Sequence, residues 1–305
     1  MPSSRSLILS FQAHRALSVS AGTVKEDGHY LGRFVGFLES RDVKELAAVT
    51  VEHLAEYGLH LRGQLSRRGR QISTSYVSRS LTVAKLFLVW ARQEGLILQD
   101  FSAFTITRPL KKLVAVPSVE QVQRLLEAPS TETPEGLRDA VIWEFFYTLG
   151  LRAKECLSLD LESVDCGGLT LRVWGKGSRE RLLPLSPRLA ELVSRYLREG
   201  RPNLRPFPEE KALWIAAQTG RRLGYTTMKQ RLAAVGELQG LKVHPHLLRH
   251  SCATHLLEAG ADVEAIGVLL GHQRADSTAH YAKVSAAELT AEHQRCHPRV
   301  SSNRP

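Results

Sequence analysis

The segment Arg108-Pro-Leu-Lys-Lys-Leu-Val-Ala-Val-Pro117 divides this chain. Each proline fixes its own φ and discourages helix in the residue before it, so the segment reads as an extended linker between two folded parts. A length of 305 residues is long for one core and agrees with two domains. The sequence therefore predicts a helical domain over residues 1–108, a linker over 109–116, a second domain over 117–290 and a tail over 291–305, with disorder expected after about Gln294. No run of about 18 apolar residues occurs, and the apolar stretch at the N-terminus is too short for a secretory signal, so the expected location is the cytoplasm.

The charge is uneven along the chain. Residues 1–116 carry 16 Lys+Arg against 9 Asp+Glu, and residues 117–305 carry 25 against 22, within a total of +10. Most of the positive field thus lies in the front third, as suits a segment that grips a polyanion, although solvated basic surfaces are also common. The four cysteines, Cys156, Cys166, Cys252 and Cys296, form no C-x-x-C pair, so neither a zinc knuckle nor a disulfide framework is indicated.

The first hundred residues have helical periodicity. Apolar positions recur from Thr23 to Leu38, again from Val51 to Leu61 after the N-cap candidate Thr50, and most clearly at Val77, Leu81, Ala84 and Leu88, where Gly95 is placed to end the helix. The intervening stretch Arg67-Arg68-Gly69-Arg70-Gln71-Ile72-Ser73-Thr74-Ser75 offers arginines and hydroxyls at a helix entrance. Arg67, Arg68, Arg70, Ser73, Thr74 and, one turn on, Arg79 are candidate DNA-backbone contacts, the alternative being a solvated loop. In the second domain, Ser118-Val-Glu-Gln121 is a capping box, and Leu137 to Leu149 marks a buried helix ending at Gly150. Leu169–Trp174 and Arg181–Leu185 flank Gly175-Lys-Gly-Ser-Arg-Glu180 and read as a β-hairpin with Lys176 at its tip. Helices return from Leu247 to the end, so the fold class is mainly α with a small β-sheet or hairpin.

Near the C-terminus the chain gathers reactive side chains in His244-Pro-His-Leu-Leu-Arg-His250, Leu269-Leu-Gly-His272 and Tyr281. His246 and Arg249, three apart on a helix, project from one face and can meet one phosphate. His246 and His250 have i, i+4 metal spacing, but a zinc-protease helix would need Glu where Leu247 stands and no third ligand is evident, so no metal is expected. Arg152, Lys176, His272 and Tyr281 taken singly are each most economically a surface arginine, a turn lysine, a helix cap and a half-buried phenol. Their ordered series, with distinctive neighbours, is what carries weight.

In Tyr147-Thr-Leu-Gly-Leu-Arg-Ala-Lys-Glu155, Gly175-Lys-Gly177 with Arg181, His244 to Ser251, Leu269 to His272, and Ser277-Thr-Ala-His-Tyr281, the sequence resembles the tyrosine recombinases, or phage integrase family, notably the Xer-type and transposon-borne members. The match is strong from Ser118 to Val284 and weak before Ser73. Asp100-Phe-Ser stands where relatives often have an Asn-Pro turn. The resemblance implies a helical core-binding domain of the SAM-like kind followed by the family's catalytic domain. It assigns Arg152 and Arg249 as catalytic arginines, Lys176 as the hairpin lysine, His246 and His272 as pocket histidines and Tyr281 as nucleophile, with Glu155 supporting the arginine and histidine.

Attack on a phosphodiester builds negative charge that two guanidiniums can hold bidentately. A phenol with a pKa of about 10 needs a base or a cationic pocket, and His246 is the candidate base. The leaving 5′ oxygen needs a proton, for which Lys176 is the candidate acid. By resemblance the product is a 3′-phosphotyrosine that a 5′ hydroxyl reverses, with no cofactor, ATP or metal. The implied partner is double-stranded DNA at a specific recombination site, gripped by a protein that is monomeric when free and tetrameric on two duplexes. The helix-prone stretch Ser285 to His293 would dock on a neighbouring subunit or pack within its own chain. Type IB topoisomerase-like relaxation and a catalytically silent DNA-binding protein are the competing functions; integration, excision, dimer resolution and transposition are not separable from sequence.

Overall fold

The computed structural model describes residues 4–66, 69–107, 115–175, 180–271 and 286–300. The chain divides into two compact units, Met1–Leu113 and Val114–Pro305.

The first unit is built on α1 (Ser4–Ala16), α2 (Ala21–Ser40), α3 (Val51–Gly63) and α4 (Thr74–Gln93). Serine side chains start two of them: Ser20 accepts from the Thr23 amide and Ser73 from the Tyr76 amide, each satisfying an otherwise orphaned donor. Gly95, with φ +72°, ends α4 in the left-handed region where a Cβ would be strained. The periodic apolar faces meet in a core of Phe11, Leu31, Phe34, Leu54, Tyr57, Val77, Phe87 and Leu88. Among the described residues of this unit one charge is buried. Asp27, 1% exposed, is paired by Arg15 at 3.2 Å and by Arg79 at 3.0 Å, tying α1 and α4 to α2.

The second unit comprises α5 (Val119–Glu127), α6 (Pro134–Thr148), α7 (Ala153–Leu157), β1 (Val164–Asp165), β2 (Thr170–Trp174), β3 (Glu180–Pro184), α8 (Pro187–Arg195), α9 (Tyr225–Leu238), α10 (Pro245–Glu258), α11 (Val263–Leu270) and α12 (Ala286–Cys296). The strands form an antiparallel sheet in the order β1-β2-β3, with Val173 opposite Arg181 and Trp174 opposite Glu180. The hairpin is legible in sequence; β1, at two residues, is too short for alternation to mark it. Helices α8 and α9 are additions that the sequence pattern did not single out.

Helix α6 is the axis of this unit. Every residue from Gly136 to Thr148 is buried. Its apolar side chains pack on all sides, and its charged ones are matched: Arg138 donates to Asp139 and to the Ile215 carbonyl, while Glu144 receives Arg188, Arg299 and the Thr148 hydroxyl. Among the described residues no helix is long and apolar enough to cross a membrane.

The C-terminal end departs from the expected disordered tail. His293, Cys296 and His297 are buried, and Arg299 pairs with Glu127 at 2.9 Å and with Glu144. The physical reason is the end of α6, whose last carbonyls lack helical partners. His293 Nε2 donates to the Thr148 carbonyl at 2.7 Å, and His297 Nε2 to the Tyr147 carbonyl at 3.3 Å. Helix α12 lies on its own unit: Glu292 accepts from the Asp262 amide and Arg295 donates to the Gly260 carbonyl.

Burial pushes the pKa of His293 down, and burial together with the neighbouring His293 pushes His297 down well below the ordinary value of 6.5. Both rings are then neutral in the folded protein at neutral pH. Because the unfolded chain binds those protons more readily, their stabilising contribution is complete above about pH 6.5 and is lost as pH falls towards the folded values, at up to about 1.4 kcal/mol per pH unit for each ring. Denaturant melts between pH 8 and 5.5 should lose less stability in His297→Phe than in the parent. An identical pH dependence in the two proteins would dismiss the role given to this ring.

Candidate active site

The site begins at the turn after α6. Gly150 has φ +58°, where a side chain would be strained, and a Cβ there would lie 2.3 Å from Leu270 Cδ2 and have to displace that side chain of α11. Two residues on, Arg152 is the N-cap of α7. Its backbone amide donates to Glu155 Oε2 at 3.0 Å, its guanidinium to Glu155 Oε1 at 2.7 Å and to the Gly271 carbonyl at 2.9 Å. Much of the Arg152 side chain remains open to solvent, whereas Glu155 is buried.

Helix α10 supplies the second guanidinium. His244 caps it by accepting from the Leu247 amide, Pro245 occupies its first turn, and this sets His246 outward and Arg249 inward. Arg249 is 4% exposed and donates to the carbonyls of Gly150 and, at 2.7 Å, of Leu270. Both arginines are therefore aimed by the last carbonyls of α11, the partially negative end of that helix. Gly271 closes α11 with φ +62°.

Burial, then the nearby charge of Arg152, pushes Arg249 down to about 10, which leaves it charged at neutral pH. Burial opposes ionisation of Glu155, but the Arg181 and Arg152 contacts outweigh it and hold the carboxyl below its ordinary value. Burial and the proximity of His246 push His244 down. Arg152, Tyr225, Lys229, His244, His246 and Arg249 line one cleft of about 460 Å³. Two guanidiniums, an ammonium and two imidazoles lining a shared concavity are groups that can receive a phosphate oxyanion and transfer protons. Among the described residues no group of three His, Cys, Asp or Glu side chains is placed to hold a metal ion.

Of the residues singled out in sequence, Arg152, Glu155, His246 and Arg249 come together here. Lys176, His272 and Tyr281 lie outside the described residues, as do Arg67 and Arg68. In the first unit, Arg70 is exposed, Thr74 is the first residue of α4 and Ser73 is its cap. Arg79 is engaged by Asp27. Sequence reasoning missed Arg181 as a site residue in its own right; its guanidinium spans both oxygens of Glu155, and its Nε is buried without a hydrogen-bond partner among the described residues. It also missed Tyr225 and Lys229, because nothing in the pattern marked α9. His244 did have a signal, standing before Pro245 in the motif already quoted.

The profile of the phage integrase family matches residues 118–288. The tyrosine recombinase XerD of Lacticaseibacillus casei is 36% identical over 227 residues, spanning 73% of this chain and 77% of that protein. Tyrosine recombinase XerC of Alcanivorax borkumensis is 38% identical over 245 residues, spanning 79% and 78%. Among solved structures, the XerH site-specific recombinase bound to difH substrate superposes with a TM-score of 0.63 at 20% identity, over 88% of this chain and 78% of that one. A transposon integrase in complex with circular intermediate DNA gives a TM-score of 0.67 at 18% identity, over 97% and 100%. The chain belongs to the phage integrase family, the tyrosine-type site-specific recombinases.

Proposed function

We propose that this enzyme cuts and rejoins double-stranded DNA at a specific site through a covalent 3′-phosphotyrosine on Tyr281, without metal or ATP. The observation that carries the reading is the pair of guanidiniums, Arg152 and Arg249, aimed by the Gly271 and Leu270 carbonyls into the cleft that His246 also lines. Structural relatives solved with DNA, among them the pre-cleavage complex of XerH, support DNA as the partner.

In the proposed reaction the scissile phosphate enters the cleft and its non-bridging oxygens bond Arg152 and Arg249, whose positive charge grows in value as the phosphorane gains charge. The Tyr281 hydroxyl attacks phosphorus and passes its proton to His246; the bond to the 5′ oxygen breaks, and Lys176 protonates that oxygen. One phosphodiester is exchanged for another, so its bond energy is kept for the reverse attack by a 5′ hydroxyl. His272 completes the pocket, and Glu155 holds Arg152. The basic first unit, with Arg67, Arg68, Arg70, Ser73, Thr74 and Arg79, contacts the DNA backbone. Strand exchange takes place in a tetramer on two duplexes.

The test is a suicide substrate whose cut strand loses its 5′ end, incubated with the full chain in chelator and without nucleotide. A denaturant-stable protein–DNA adduct is expected, and peptide mapping should place it on Tyr281. Adduct formation that required a divalent cation, or that mapped elsewhere, would overturn the mechanism.

A further inference from the structure

Arg181 stands on β3, opposite Val173, a few residues past Lys176 in the chain. Its guanidinium donates to Glu155 Oε1 at 3.3 Å and to Oε2 at 2.9 Å, and the same Oε1 receives Arg152 at 2.7 Å. On its other side it lies against Gly271: a Cβ at that glycine would sit 3.1 Å from one of its terminal nitrogens and 3.2 Å from Cζ. One planar side chain thus joins three separate pieces of the site: the α7 carboxylate that holds Arg152, the strand that follows Lys176, and the residue immediately before His272.

We propose that Arg181 is a positioning residue for strand cleavage, which, by clamping Glu155, fixes Arg152, strand β3 and the end of α11 in one mutual register. The inference rests on the recombinase reading given above. Its chemistry follows from the fork of the guanidinium. An ammonium is a point charge that can neutralise Glu155 but cannot hold both of its oxygens in a plane, so charge and register are separable by substitution. The charged groups around Glu155 are Arg152, Arg181 and, at longer range, Arg249, with the buried Cys156 thiol beside it. With Arg152 alone left in contact, Glu155 loses half of its clamp but keeps its location on α7.

Arg181→Met, Arg181→Lys, Glu155→Gln and the Arg181→Met/Glu155→Gln double variant of the full chain test this. The readouts are DNA affinity, single-turnover cleavage of the suicide substrate across pH, and the Glu155 titration followed by carboxyl ¹³C NMR without DNA. In Arg181→Met, the Glu155 titration should move upward, the acid limb of cleavage should move with it, and cleavage at neutral pH should fall about a hundredfold, the cost of a small misplacement, while affinity holds. Arg181→Lys should return the titration towards that of the parent without restoring the cleavage rate, and it serves where the Met variant fails to fold. The double variant should cleave no more slowly than the worse single one. Unchanged cleavage, an equal loss of affinity, or losses that multiply in the double variant would each overturn the proposal. If the parent itself forms no adduct, the recombinase reading falls instead; a Glu155 titration indifferent to Arg181 would independently break the clamp.

Discussion

Tyr281→Phe should bind DNA as the parent does and form no covalent adduct with it. The substitution deletes one oxygen and keeps the ring, so the shape of the side chain is nearly conserved. Affinity for a DNA backbone comes from the cations that neutralise phosphates, and Arg152, Arg249 and Lys229 are untouched by the change. What is lost is the atom that becomes bonded to phosphorus in the proposed scheme. Gel shift and denaturing adduct assays on one protein preparation separate the two quantities. An adduct persisting in Tyr281→Phe would remove this residue as nucleophile, whereas loss of binding together with the adduct would make it a structural or DNA-contacting residue.

The second large effect is expected at Arg249. Two of its N–H groups are taken by the Gly150 and Leu270 carbonyls, and among the described residues no other acceptor holds the rest of the five that a guanidinium owns. Arg249→Ala should slow cleavage by about 10²–10³-fold, the usual consequence of removing one aimed donor from a developing oxyanion, and should weaken binding far less. Arg249→Lys keeps a charge in the pocket but offers its three donors from a single nitrogen in place of a planar fork that spans two carbonyls and a phosphate, so it should recover only part of the rate. The same substitutions leave buried carbonyls without a partner, and a thermal melt of each variant measures that separate loss. Since Arg249 is held charged up to about pH 10, the parent's dependence on this residue should not change across neutral pH. Equal losses in binding and cleavage would reduce Arg249 to a contact that merely seats the DNA.

The order of the site along the chain is legible because its parts are local. The turn before Arg152, the hairpin around Lys176 and the capped start of α10 each depend on glycine, proline and short-range spacing, which any reader of sequence can use. The long helices of the first unit are likewise visible through their periodic apolar faces, and the serine caps mark their starts. Periodicity fails where the pattern is short or crowded. Strand β1 is two residues long and α9 starts after Gly224 with no side-chain cap, whereas α6, though buried on every face, is marked by its apolar run, and α8 carries start signals in Ser186 and Pro187. The tail misleads because prolines and serines near its end resemble a disordered segment, while the two carbonyls and the carboxylate that hold it belong to α6.

What the sequence determined by itself was therefore the family, the broad division of the chain and the identity of the residues proposed to act on DNA. The tertiary structure decided which of the described side chains meet: that Arg152 and Arg249 are both directed by the end of α11, that Arg181 closes on Glu155, and that Tyr225, Lys229 and His244 share the same cleft. The reason is physical. A cap or a turn is settled within a few residues, but the bond from Arg249 to Gly150 joins positions 99 residues apart, and only the packing of the buried core brings such positions to hydrogen-bonding distance.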